Sequence, residues 1–439
     1  MGIVSITIRL NMNADSSITS LSTRDIAELN AGLRDTVAEE RLRAFEVFRN
    51  TPFPSSKQEA WKYVDLDIDL DRYHLVADPG QGMSPGPIVG EFPDGTSTVV
   101  IRDGFLVEKS NSSEAIIESV ADRTSQNDYW PGLVQPETDK FAAASAAFGH
   151  DGVSVRLPRG TTVGQPILIE VQTVTPRAIS FPKLLLELDE DSEASVIVVF
   201  RSPASVDAVT IPGFSVSVGD GANLKCTVVQ QFGGETTSVI HERVRVGRDA
   251  ACKFGEVGLG GRFARLDLGV DLEGEGGSLS FDGLSFGEGK QTLDYRMLIR
   301  HIGAKTTSNV HLKGAVEDYA RSVFHGLLRI EEGAARSSAF ERNRNLVLSP
   351  GAKAHSVPNL EILCDDVVCG HGSSVGPLDE EHLYYLQTRG ISKPRAERLL
   401  IRGFFSEVIN RLPHPEVGNP VKAAVYRRFE SAQTEGRIG

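Results

Sequence analysis

The stretch GANLKCTVVQQFGGETTSVIHERVRVGRDAACKFGEVGLGGRFARLDLGVDLEGEGG, residues 221–277, consists of short aliphatic and β-branched runs cut by glycine, aspartate and arginine. Such runs, bounded by turn residues, read as strands. Three small-residue pairs punctuate it: Gly221-Ala222, Ala250-Ala251 and Gly276-Gly277. The same texture begins after Gly152 and holds for some two hundred residues, through VSVRLP, PILIEV, LLLEL, SVIVVF, FSVSV, RVRV, SLSFDGL and MLIR. With Glu193-Ala194, Gly303-Ala304, Gly333-Ala334 and Gly351-Ala352 added, the second members of the pairs are spaced 28, 29, 26, 27, 30 and 18 residues apart. One unit of this size cannot bury its own apolar face and does so by stacking on its neighbours, so the spacing predicts a parallel β-helix. The irregular last step keeps a β-sandwich open as the other reading.

On either side the period becomes helical. Ile26, Leu29, Leu33 and Val37 recur at steps of three and four, which predicts one amphipathic helix over 22–50, capped by Ser22 or Thr23. FPSSKQEAWKYVDL (53–66) follows, then a Gly- and Pro-rich linker at 77–87, a strand pair near 97–108 and an alanine-rich helix near 138–148. After Leu378, Asp379 caps a helix over 380–387 and Gly390 ends it, while Ser392 and Pro394 open another. That last helix is apolar beyond one stripe: Leu400, Phe404, Val408 and Leu412 are flanked by Ile401, Phe405 and Ile409. It requires deep burial or a covering partner. The expected organisation is an N-terminal, mostly helical unit (1–150), a β-helix core (151–376) and a C-terminal helical unit (377–439).

With 439 residues and a formal net charge of −13, the chain is expected to be a globular protein that avoids nucleic acid and membrane surfaces. The N-terminal MGIVSITIRLNMNADSS has no basic segment before its apolar run, and export is not expected. Four cysteines, Cys226, Cys252, Cys364 and Cys369, are too few to staple a chain this long and fit reduced thiols in a cytoplasm.

Chemistry concentrates in LEILCDDVVCGHGSSVG, residues 360–376. Taken as one strand, alternation places Asp365, Val367, Cys369 and His371 on one face and Cys364, Asp366 and Val368 on the other. Cys369 and His371 then form a two-ligand pair of thiolate and imidazole, suited to iron or zinc. A closed tetrahedral site needs about four ligands, so another chain has to supply the rest. The plainer reading is a structural Cys-x-His on a strand. Cys226 and Cys252 read as small core residues. Gly287-Glu-Gly-Lys290 lacks the spacing and hydroxyl of a phosphate loop, and the sequence holds no His-Glu-x-x-His. His301, His311 and His325 have no triad spacing, and the acidic cluster at Asp189, Glu190, Asp191 and Glu193 reads as a solvated turn.

Four blocks carry a family resemblance. They are FPSSKQEAWKYVDL, with Pro54, Lys57, Glu59, Trp61 and Tyr63; FAAASAAFGHDGVSVRLPRG (141–160); NRNLVLSPGAKAHSVPNLEILCDDVVCGHGSSVGPLD (343–379); and LYYLQTRGISKPRAERLLIRGFFSEVI (383–409). The chain resembles the SufD proteins, components of the SUF iron–sulfur cluster assembly scaffold, over nearly its whole length. The resemblance implies a right-handed parallel β-helix flanked by helical domains, with SufB as heterodimer partner and the SufC ATPase docked on the C-terminal helices. On the matching positions, the docking helices carry Tyr385, Leu386, Arg389, Gly390, Ile391, Phe404 and Phe405. Cys369 and His371 fall at the SufB interface, where they share a nascent cluster or iron transiently with the partner, and this chain binds no nucleotide. Cys364 and Glu341 depart from the family pattern and inherit no role. Three readings remain beside this one: a SufB-type paralogue, a homodimeric metal-binding β-helix protein, and a β-helix enzyme acting on polysaccharide.

Overall fold

A computed structural model describes residues 21–31, 33–82, 95–110, 114–124, 126 and 130–434. The N-terminal stretch read for export signals lies outside them, as does the linker beyond residue 82. The chain is mainly β, wound into a solenoid of about eight turns. Each turn gives one strand to each of two parallel sheets. One sheet runs from Gly152–Leu157 to Lys353–Ile362, the other from Ile167–Gln172 to Val368–Gly376.

The repeat has a visible physical basis. In six consecutive turns joining the first sheet to the second, one residue takes a left-handed backbone: Asp191, Gly221, Asp249, Gly276, Lys305 and Arg336, with φ between 51° and 74°. The N–H of each reaches a carbonyl in the next turn, as in Asp191 to Asp220 at 2.9 Å and Gly221 to Arg248 at 2.8 Å. A left-handed position favours Gly and tolerates Asp; the left-handed residue is a member of the small-residue pair at Gly221 and Gly276 and lies within two residues of it at the other four turns, so the pairs mark the turns. Gly351-Ala352 lies at the opposite edge, between Ser338–Val347 and Lys353–Ile362, which accounts for the step of 18. The true register continues unbroken: Ser338 pairs with Val368, 30 positions on.

Between the sheets lies an aliphatic and aromatic lumen that includes Val196, Cys226, Phe254, Phe281 and Val310 along a single column. Cys226 and Cys252 are buried there as expected, and all four cysteines are free. The lumen also holds two acids in one turn, Glu242 and Glu256, at 0% and 2% exposure. Neither carboxylate oxygen of Glu242 has a hydrogen-bond partner among the described residues. Burial holds the Glu242 carboxyl up at about 8, against the Arg243 charge, and burial together with the Glu242 charge also raises the Glu256 carboxyl well above its usual range. Because the folded pKa lies above the unfolded one, the proton-linked stability is full below about pH 4.5 and is lost as pH rises towards 8. Glu242→Gln is therefore expected to flatten the decline in stability between pH 5 and 8 by a few kcal/mol, roughly. Denaturant unfolding at both pH values checks this, and parallel profiles for the two proteins would show the acid pair to be inert.

At its N-terminal end the solenoid is closed. Ser97–Arg102 adds in parallel to Ile167–Gln172 and carries the antiparallel Phe105–Lys109, while Ile116–Ser119 pairs with Gly152–Leu157. The predicted single helix over 22–50 is two, Thr23–Leu29 and Asp35–Asn50, because the chain leaves the helix at Asn30 and Arg34 is extended. Ser22 forms the expected cap, in a reciprocal box with Asp25. Phe45, Phe48 and Phe148 pack these helices and Lys140–Phe148 onto the outer face of the first sheet. The Trp-containing block runs along that face as a strap. Arg265 lies 3.9 Å from the Trp61 ring centroid, and Arg265, Arg296 and Arg321 donate to the carbonyls of Ala60, Lys62 and Tyr63.

The outer face of the second sheet is covered by the C-terminal helices Lys393–Ile409 and Pro415–Thr434. Ile401, Phe405, Val408, Ile409 and Leu412 are buried against Val229, Val257, Leu284 and Phe286. The second apolar stripe of the last predicted helix is thus satisfied within the chain. Buried Lys313 donates to the Phe404 carbonyl at 2.7 Å, and His414 bridges the Ser195 and Thr227 hydroxyls at 2.8 and 2.7 Å.

Candidate functional site

The stretch 360–376 is not one strand. Lys353–Ile362 ends its sheet, residues 363–367 turn, and Val368–Gly376 begins the last strand of the other sheet. Alternation cannot be carried through the turn, so the placement of Cys364 and Cys369 on opposite faces is corrected: both pack, half-buried, against the lumen cluster. Within the last strand the expectation for Cys369 and His371 is met, since both take lumen-facing positions. Cys369 sits in register with Ala339, and His371 with Glu341. Ala339, Glu341 and Asn343 are buried while Phe340, Arg342 and Arg344 are exposed, which fixes the face.

This last turn is left open. Val368–Gly376 pairs only with Ser338–Val347, and Lys353–Ile362 only with Arg321–Ile330, so both strands present a free edge among the described residues. Ile362, Leu363, Val368 and Val375 are exposed by 44%, 44%, 63% and 44%. Here the lumen turns polar. Ser373 donates to Ser356 at 2.6 Å, and Ser356 to the Asn343 side-chain oxygen at 2.8 Å, linking the two sheets across the opening.

Glu341 is a functional candidate whose role the sequence left open. It is 3% exposed, neither oxygen has a hydrogen-bond partner among the described residues, and burial raises its carboxyl to about 7. Gly326 makes room for it: a Cβ there would lie 2.1 Å from Oε2. Alternation from Ala339 to Asn345 puts Glu341 on one face with Asn343, and only the sheet opposite makes that face the lumen.

On the outer surface of the same end, His311, Phe340, Arg342 and Arg411 border a pocket of about 400 Å³, with Asp282 bound to Arg411 at 2.5 Å. Among the described residues no three His, Cys, Asp or Glu side chains are grouped to hold a metal ion. Cys369 and His371 are therefore two donors at a rim.

Beyond the rim, Asp379 caps Glu380–Thr388 by accepting from the His382 N–H at 2.9 Å, and Gly390 takes φ +80°. No residue of this helix is buried. Tyr384 and Tyr385 are exposed, with Arg389 stacked on Tyr385, and Leu386 and Ile391 are half-buried. Phe404 is half-buried, whereas Phe405 is fully buried beside Phe286 and holds the helix to the solenoid. Tyr384, Tyr385 and Leu399 form the accessible apolar surface here.

Fold and rim together define a class: a parallel β-solenoid closed at one end and open at the other, with a thiol and an imidazole at the opening. Residues 171–404 match the family described as SUF system FeS cluster assembly, SufBD core domain. The chain belongs to this family. It is 33% identical over 305 residues to an iron–sulfur cluster assembly SufBD family protein of Mycobacterium tuberculosis, covering 68% of this chain and 76% of the relative. It is 29% identical over 299 residues to the iron–sulfur cluster assembly protein SufD of Bacillus subtilis, covering 68% of each. With the Escherichia coli SufD it shares 26% over 386 residues, 86% of this chain and 90% of that one. The SufD reading of the sequence stands, and no described helix is long and apolar enough to cross a membrane.

Proposed function

We propose that this chain is a non-catalytic scaffold subunit that pairs with a SufB-type partner through the open end of its solenoid and docks a SufC-type ATPase on the helices over 380–409. The observation that carries this is the bare last turn: two unpaired strand edges and four exposed aliphatic side chains surround Cys369 and His371. Solenoids need a cap at each end, and unpaired edges with apolar side chains are templates for another chain. A partner strand added there supplies main-chain hydrogen bonds and brings its own side chains to the opening.

In this reading the cargo is iron and the nascent cluster. Cys369 and His371 provide two of about four ligands and the partner provides the others. Tyr384, Tyr385 and Leu399 meet the ATPase, and its ATP-driven closure pulls on the helices joined to the last strand at Leu378. That movement shifts the open end against the partner and admits iron.

The test is co-expression with SufB- and SufC-type chains under anaerobic conditions, with a tag on this chain alone, followed by subunit stoichiometry. A three-component complex is the expected result. A homodimer that ignores both partners would favour a metal site completed across a two-fold axis, and a lone monomer would remove the heteromeric reading.

A further inference from the structure

The strap that carries Trp61 ends where the open rim begins. Arg265, Arg296 and Arg321 stand on three consecutive strands of the first sheet and hold the carbonyls of Ala60, Lys62 and Tyr63 at 2.9, 3.0 and 2.8 Å. One strand further lies Lys353–Ile362, the edge of that sheet among the described residues. There the Tyr63 ring stacks on the His355 imidazole, with centroids 4.7 Å apart and planes inclined by 12°.

Tyr63 reaches this position through a left-handed backbone, with φ at 70°. For a bulky aromatic residue that conformation is disfavoured, and it persists only where the surroundings impose it. Tyr63 stays exposed, so core burial does not impose it. Two contacts do: Arg321, which also lies 3.7 Å from Asp65, takes the carbonyl, and His355 takes the ring. A second tie runs alongside. Arg296, which holds the Lys62 carbonyl, also reaches the His325 Nδ1 at 2.7 Å, and the His325 Nε2 lies 2.9 Å from the Asn359 side-chain amide. The strap therefore grips the edge strand directly at His355 and indirectly at Asn359.

The last coil depends on such ties. No side chain of Lys353–Ile362 or Val368–Gly376 is fully buried, whereas Arg321–Ile330 and Ser338–Val347 before them each bury several. Segments with few buried contacts are the ones that open locally. Next to His355, on the other face of the strand, Ser356 joins Ser373 and Asn343 across the opening at 2.6 and 2.8 Å. The grip on the outer face thus passes to the strand that bears Cys369 and His371.

We propose that Tyr63 is a positioning residue for the open rim: by clasping His355 it holds the last coil, and with it Cys369 and His371, in one shape. The consequence for the cargo rests on the function proposed above, which subunit stoichiometry tests; the clasp itself is tested in the isolated full chain by hydrogen exchange read by mass spectrometry. Tyr63→Ala is expected to speed exchange across residues 353–376 by about three- to tenfold, the scale on which one aromatic pair shifts an opening equilibrium, and to leave residues 152–188 unchanged. Tyr63→Phe keeps the ring and is expected to exchange like the wild type. His355→Ala leaves the strap's arginine bonds in place and is expected to repeat the Tyr63→Ala pattern, so it carries the test should Tyr63→Ala release the whole strap. Alkylation by iodoacetamide is a second readout: Cys369 is expected to react faster in both alanine variants, while Cys226 and Cys252 stay protected in the lumen. Exchange at 353–376 unchanged in the alanine variants, a rise of equal size at 152–188 in both, or Tyr63→Phe behaving as Tyr63→Ala would each overturn the proposal.

Discussion

Alanine at both Cys369 and His371 is expected to leave the complex with its partners assembled in the same ratio but stripped of most of its iron and sulfide. Both side chains face the lumen at the open rim, His371 exposed and Cys369 half-buried at the margin of the lumen cluster. Removing them costs the fold little. For the cargo the loss is large, because a partner's ligands alone leave a four-coordinate site half filled. Disturbing even the residues behind metal ligands costs about 10- to 100-fold in affinity, so losing two direct ligands is expected to exceed about a hundredfold. Iron and sulfide per complex, measured after anaerobic purification, check this. Unchanged content would return Cys369 to the role of a packed thiol.

The second large effect is expected at the strand edge. Val368→Lys combined with Val375→Lys is expected to abolish pairing with the SufB-type partner while the isolated chain folds as before. Both valines are already solvent-exposed, so the lysines meet water in the free chain. In the paired state each ammonium would be buried without a counter-charge, at a cost of several kcal/mol, roughly a thousandfold in affinity for the pair. Edge lysines are also the means by which natural sheets resist added strands. Gel filtration of the co-expressed chains, with circular dichroism of the variant alone, separates lost pairing from lost folding. A variant that still co-elutes with its partner would place the interface elsewhere.

Much of this architecture is legible in the sequence because it depends on local terms. The left-handed turn position favours Gly or Asp, and Gly221, Asp249 and Gly276 supply it at the spacing of the repeat, while Lys305 and Arg336 stand there in the next two coils. Asp139 and Asp379 cap the helices that follow them, and two-residue alternation alone puts Cys369 and His371 on one face.

Other features depend on contacts between residues far apart in the chain, and only the tertiary structure decided them. Which face of a strand is lumen is set by the sheet opposite, so the burial of Glu242, Glu256 and Glu341 is invisible to alternation alone. The run 360–376 breaks into strand, turn and strand because the coil has to close at the edge that its neighbours share. Of two equally apolar stripes on Lys393–Ile409, the one bearing Phe405 packs down because the sheet offers Phe286 and Leu284 there. Local propensity and periodicity determined the elements and their repeat; long-range packing and desolvation decided which side chains are enclosed, which edges stay bare and which charges are left facing one another.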